Sequence, residues 1–237
     1  MKIAFEAPIG NTKLALANSD YIFAIAPMLK IPEYAEAVRE AQKEGKDLYI
    51  DNGVYEGQLM ATEEYLELCL GWKPKVVVAP DVLGDDKKTL ELSRKFFRLL
   101  NEEPPFEIMV VPQGKDDHAR GQCLAHLRQD WDIDIVGLGL GAFEKDWRKR
   151  IHFLGRIPNV RRIHVLGIVH IHDLCFWKGI AETADTSLPF HLGQEWKLTH
   201  GKKETKHLDW DDTLYPDRED LALRNIFALR EALANVT

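Results

Sequence analysis

Four polar residues stand where apolar runs give out, and they set the chemistry open to this sequence. Asp51 lies in Ile50-Asp51-Asn52-Gly53-Val54-Tyr55, Asp81 in Ala79-Pro80-Asp81-Val82-Leu83, Gln113 in Val111-Pro112-Gln113-Gly114, and Asp185 in Ala184-Asp185-Thr186-Ser187-Leu188-Pro189. A lone aspartate in such a place most often caps a turn or a helix. Several converging on one mouth make a site, because each buried carboxylate needs a partner. These groups suit a purine. A carboxylate accepts from the paired N–H donors on guanine's Watson–Crick edge, and a glutamine amide or a glycine N–H donates to O6. A tyrosine and an aliphatic side chain can sandwich the ring. Two further carboxylates can serve as nucleophile and proton shuttle. A carboxylate-rich mouth could instead hold magnesium. The sequence shows no clustered His or Cys ligands, so metal catalysis is not expected.

The elements that must position these residues follow from the apolar pattern. Short runs recur at Ile3–Ala7, Tyr21–Pro27, Leu48–Gly53, Val76–Val82, Ile108–Gly114, Ile135–Gly141, Ile163–Val169 and Ala181–Leu188. Continuous runs rich in Val and Ile predict strands buried on both faces. Amphipathic stretches between them predict helices over Ile31–Glu44, Thr62–Leu70, Asp86–Leu100, Asp116–Leu127, Glu144–Leu154 and Ile171–Gly179, with Thr62 as a cap. Alternating strand and helix is the pattern of a parallel α/β sheet. Eight strands predict a (β/α)8 TIM-like barrel, whose chemistry gathers at the C-terminal strand ends. The rival, an open doubly wound sheet, favours a Gly-rich phosphate loop after an early strand. The tightest glycine cluster, Gly137-Leu138-Gly139-Leu140-Gly141, lacks that spacing and suits close approach of a ligand to backbone.

Composition narrows the class. The 237 residues are 45% hydrophobic and 29% charged, which suits a globular domain with a sizeable core. No apolar run approaches the roughly 20 residues of a membrane span, and the start, Met1-Lys2-Ile3-Ala4-Phe5-Glu6, lacks the apolar core of a signal peptide. A cytoplasmic protein with no membrane partner is expected. Cys69, Cys123 and Cys175 are dispersed and odd in number, against a disulfide framework and without zinc spacing. Net charge is −7, so any nucleic-acid surface must be local. The candidates are Arg148, Lys149 and Arg150, then Lys202 and Lys203, in basic stretches that flank the last three strands. Residues 1–190 are expected to form the barrel core. Residues 191–237, a polar segment and a helix over Asp217–Ala234, are expected to complete the same domain.

In motif order and spacing, residues 2–190 resemble the tRNA-guanine transglycosylase family. Asp51-Asn52-Gly53-Val54-Tyr55 is similar to that family's Asp-Ser-Gly-Gly-Phe/Tyr, and Asp81 matches the aspartate ending the next strand. Val110-Val111-Pro112-Gln113-Gly114 resembles Ile-Val-Gln-Gly-Gly, and Val136–Leu140 falls where the family has a Gly-Gly-Leu turn. His164-Val165-Leu166-Gly167-Ile168 resembles Tyr-Leu-Met-Gly-Val, and Asp185-Thr186-Ser187-Leu188-Pro189 resembles Asp-Cys-Val-Leu-Pro.

The resemblance implies a (β/α)8 barrel that exchanges guanine for a 7-deazaguanine by a covalent route, with no cofactor. Asp185 would attack C1′ of the sugar. Asp51 would protonate the leaving base and deprotonate the incoming one. Asp81, Gln113 and the Gly139 backbone would read the base edge, with Tyr55 and Leu166 packed on its faces. The family's tRNA enzymes carry a Cys-x-Cys-x-x-Cys zinc subdomain, which the three dispersed cysteines here cannot build. The reduced form resembles the DNA-directed branch, found in phages and bacterial modification clusters, so DNA is the expected polymer and accessory proteins are possible partners. A tRNA substrate, a non-catalytic nucleic-acid-binding barrel and an unrelated glycosidase or magnesium lyase are the alternatives.

Overall fold

A computed structural model describes residues 1–100, 104–139, 143, 146–195, 211 and 213–235. Eight strands, β1 (Lys2–Phe5), β2 (Ile22–Ile25), β3 (Leu48–Asp51), β4 (Val76–Val78), β5 (Glu107–Val110), β6 (Ile135–Gly139), β7 (Ile163–Leu166) and β8 (Thr183–Thr186), fall on the eight apolar runs. Each is followed by a helix: α1 (Thr12–Asn18), α2 (Pro32–Lys43), α3 (Thr62–Trp72), α4 (Asp86–Leu99), α5 (Asp117–Asp130), α6 (Trp147–Leu154), α7 (Ile171–Trp177) and α8 (Leu188–Gln194). A further helix, α9 (Pro216–Asn235), comes last among the described residues. All strands are parallel, in the order β1-β8-β7-β6-β5-β4-β3-β2, with the first strand beside the last. This is the α/β class with the (β/α)8 TIM-like barrel arrangement.

The chain divides into two compact units. The first comprises Met1–Phe23, Ile31–Lys46 and Val165–Thr237. In it, β1 pairs with β8 in a register that sets Ala4 opposite Asp185. Helix α9 lays Ala222, Ile226 and Leu229 into the core, as its helical spacing requires. It packs on α8 and α7, and Arg230 reaches Asp20 at 2.8 Å. The side chain of Trp177 is fully buried here, with its indole N–H on Asp173 at 2.9 Å.

The second unit comprises Ala24–Lys30 and Asp47–His164. Strands β3, β4, β5 and β6 pair in sequence, with Val76, Val77 and Val78 buried on both faces. Burying each such side chain contributes roughly 1.5–3 kcal/mol. Helix starts are fixed by aspartates that accept a backbone N–H: Asp85 from Lys88, Asp116 from Ala119 and Asp146 from Arg148. Thr62 is not a cap. Ala61 holds that position with no side-chain hydrogen bond, and Thr62 is the first helical residue. Tyr65, one turn into α3, buries its hydroxyl between the carbonyls of Val78 at 2.8 Å and Ile50 at 3.2 Å, tying the ends of β4 and β3 together.

Candidate active site

The second unit builds a buried polar cluster where β3, β4 and β5 end. Asp81 follows β4 by three residues and is only 2% exposed. Its Oδ1 accepts from Asn52 Nδ2 at 2.7 Å and its Oδ2 from Gln113 Nε2 at 2.5 Å. Asn52 sits one residue past β3, and Gln113 three residues past β5. Parallel pairing of β3 with β4 and of β4 with β5 is what brings these three side chains together. Burial pushes the Asp81 carboxyl up to about 7, and the charge on Asp51 pushes the same way; the amides of Asn52 and Gln113 pull against them.

The loops around the cluster are held by their own backbone. Gly84 N–H donates to Gln113 Oε1 at 3.0 Å, and Val54 N–H to Asn52 Oδ1 at 2.9 Å. Ser93 holds the Pro80 carbonyl at 2.8 Å, and Thr89 Oγ1 accepts from Val82 N at 3.0 Å. Asp51 ends β3 and accepts from Gly53 N at 2.9 Å. Gly53 has a φ of +78°, and a Cβ there would lie 2.9 Å from Pro27 Cδ, so this turn needs glycine. Tyr55 stands in the β3–α3 loop, 38% exposed, and Gly139 is the half-buried last residue of β6.

Behind Gln113, the buried Arg120 donates to the Gly114 carbonyl at 2.8 Å and to Asp117 at 2.7 Å, with its guanidinium 4.4 Å from the Phe143 ring centroid. Burial would raise the Asp117 carboxyl, but hydrogen bonds from Arg120 and His152 outweigh it and hold the group below the usual value.

In the first unit, Asp185 is the third residue of β8 and is 3% exposed. Its Oδ2 accepts from Gly167 N at 3.0 Å. Gly167 follows Leu166, the half-buried end of β7, and has a φ of +71°. The strand is pinned on both sides of the aspartate. Tyr21 donates its hydroxyl to the Ala184 carbonyl at 2.7 Å, and Thr186 Oγ1 donates to the Ile168 carbonyl at 2.6 Å. The first unit therefore brings Asp185, Gly167 and Leu166 together. The second does so for Asp51, Asp81 and Gln113.

No protein-family model matches this chain, and no curated protein does either.

The basic residues divide. Arg148 and Lys149 lie on the exposed face of α6. Arg150, expected on a nucleic-acid surface, is instead fully buried, with Nη1 on the Leu138 carbonyl at 3.3 Å. A helix turn that exposes 148 and 149 turns 150 inward beside the buried Phe153. Lys202 and Lys203 lie outside the described residues. Among the described residues, no group of three or more His, Cys, Asp or Glu side chains is placed to hold a metal ion. No described helix is long and apolar enough to cross a membrane. Sequence reasoning missed Asn52, Gly84 and Arg120. For Asn52 a signal existed, since an amide next to a strand-end aspartate is a ready partner for the next carboxylate. A backbone N–H such as that of Gly84 leaves no mark in sequence.

Proposed function

We propose that this chain is a base-exchange transglycosylase that replaces guanine in DNA with a 7-deazaguanine, such as 7-cyano-7-deazaguanine, through a covalent aspartyl–sugar intermediate. The observation that carries the reading is the buried Asp81–Gln113 pair. A carboxylate and an amide donor, both shielded from water, side by side at adjacent strand ends, match the edge of a planar heterocycle better than they serve a core.

In this reading an Asp185 carboxylate oxygen attacks C1′. The C1′–N9 bond breaks, its electron pair leaves with guanine, and Asp51 supplies the proton that neutralises the base. In the second half Asp51 takes the N9 proton of the 7-deazaguanine. N9 then attacks C1′, and the ester bond to Asp185 breaks. Asp81, Gln113 and the Gly139 backbone read the base edge, with Tyr55 and Leu166 on its faces. The fixed Gly167 N–H on Asp185 supports a nucleophile held in one orientation. A target in duplex DNA is flipped out to expose C1′, and the exposed Arg148 and Lys149 contact phosphate. Three free, dispersed cysteines favour DNA over the zinc-bearing tRNA enzymes.

Incubating the protein with labelled 7-cyano-7-deazaguanine and DNA or RNA, followed by nucleoside mass spectrometry, tests the reading. Label is expected in DNA. Label in RNA alone moves the substrate to RNA, and label in neither overturns the reading.

A further inference from the structure

Asp81, Asn52 and Gln113 are each at most 2% exposed, so every N–H among them must find a partner in the protein or on a ligand. Their two amides can be followed hydrogen by hydrogen. Asn52 is fully committed: Nδ2 donates to Asp81 Oδ1 and to the Ala79 carbonyl at 3.0 Å, and Oδ1 accepts from Val54 N. Gln113 is not. Its Oε1 accepts from Gly84 N, and one Nε2 hydrogen goes to Asp81 Oδ2. The second Nε2 hydrogen has no partner among the described residues.

Orientation decides what that hydrogen can do. A side-chain amide can be turned over, exchanging its donor and acceptor ends. Turned over here, Gln113 would set N–H against the Gly84 N–H and oxygen against the Asp81 carboxylate. Val54 blocks the same exchange at Asn52. Gly84 is itself aimed by a tight turn: its φ is +71°, Asp85 N–H closes onto the Val82 carbonyl at 3.0 Å, and Thr89 holds Val82 N. Gln113 can therefore only donate, and the Asp81 carboxylate beside it, when ionised, only accepts.

We infer that Asn52 and the Gly84 N–H form an orientation lock that sets this site to read a lactam edge, an N–H beside a C=O, and to reject the amidine edge of a 6-aminopurine. The inference rests on the base-exchange reading and names the residues that fix base choice within it. The lactam N–H donates to Asp81, and its oxygen accepts the uncommitted Gln113 hydrogen. A 6-aminopurine presents the reverse pair, a bare ring nitrogen to the carboxylate and an amino group to an N–H. Asn52 and Gly84 are positioning residues, since they act through Asp81 and Gln113.

Calorimetric binding of free hypoxanthine, guanine and adenine, with exchange kinetics on DNA alongside, tests the lock. Hypoxanthine carries the lactam edge without the 2-amino group. The wild-type protein should bind hypoxanthine and guanine about 100-fold or more tighter than adenine. Asn52→Ala, and the isosteric Thr89→Val, which releases the Val82 N–H and with it the turn that aims the Gly84 N–H, should each narrow that ratio to about 10-fold or less and raise KM for the base more than they lower kcat. Adenine binding the wild type within a few-fold of hypoxanthine, no base binding at millimolar concentration, or both variants keeping the full ratio would each overturn the lock. If neither variant folds, the wild-type ratio decides. Discrimination without exchange on any polymer would fail the base-exchange reading and keep the lock. Exchange without discrimination would fail the lock alone.

Discussion

Asp81 and Asp185 are both buried aspartates at the C-terminal end of a parallel strand, yet they are held by different means. Asp81 is gripped through both oxygens by side-chain amides, and those amides are set in turn by the N–H groups of Val54 and Gly84. Asp185 is wired directly to the main chain, through the N–H of left-handed Gly167. A carboxylate fixed by exchangeable side chains suits a surface that reads a ligand, because partner swaps alter what it recognises. An anchor on a backbone N–H is one that no side-chain substitution at the partner removes, which suits a group that must be held in one orientation.

The contrast is broken most sharply at Asp185. Asp185→Asn keeps the size and an acceptor for the Gly167 N–H but removes the proposed nucleophile. Exchange should fall roughly 10⁴-fold or more, with thermal unfolding close to wild type. Activity within ten-fold of wild type, measured by base incorporation, would place the nucleophile elsewhere.

Asp81→Asn should act on recognition instead, lowering kcat/KM for the base about 10²- to 10³-fold. It also carries a stability signature of its own. The Asp81 carboxyl rises from 3.8 to about 7 in the folded protein, so its contribution to stability is fully present below pH 4 and is lost as pH rises through about 7. Between those limits the slope approaches about 1.4 kcal/mol per pH unit. Burial pushes the Tyr65 hydroxyl well up and the Cys123 thiol to about 11, so neither titrates in this window. Denaturant midpoints from pH 4 to 8 should therefore fall with pH more steeply in the wild type than in Asp81→Asn. Parallel curves would mean that Asp81 is not desolvated.

Gly53→Ala tests the scaffold beneath the reading cluster. A Cβ at φ +78° and 2.9 Å from Pro27 Cδ should cost roughly 1–3 kcal/mol in chemical denaturation. An unchanged midpoint would show that the Asp51–Gly53 turn is free to move. The smallest effect is expected at the surface. Replacing both Arg148 and Lys149 with Ala should leave folding untouched and flatten the salt dependence of DNA affinity by about one unit of slope for each phosphate no longer neutralised. Binding with an unaltered salt slope would remove α6 from the interface.

The barrel was legible because strands buried on both faces read as uninterrupted apolar runs. Their ends were less so. The run Val76–Val82 yields a strand of only Val76–Val78, because Ala79, Pro80 and Asp81 are as buried as the strand itself, and burial rather than pairing is what the run records. Helix α1 was missed: seven residues, Thr12–Asn18, give too few turns for a period to declare itself. At the candidate site the carboxylates and Gln113 could be named from their places after strands. Asn52 was read only as one letter of the Asp51-Asn52-Gly53-Val54-Tyr55 motif, because, taken alone, an amide that positions another side chain is indistinguishable in sequence from one in a loop. Arg150 misled because a basic triplet looks like a solvated face; its spacing to Phe153 carried the correction.

Base exchange by this route stands or falls on a covalent bond between Asp185 and the sugar. Reaction with guanine-containing DNA in the absence of a replacement base, quenched and digested to peptides for mass spectrometry, measures it directly. A deoxyribose-linked adduct is expected on the peptide bearing Asp185, and none in Asp185→Ala. An adduct on Asp51 or Asp81, or base exchange at full rate by Asp185→Ala, would refute that bond.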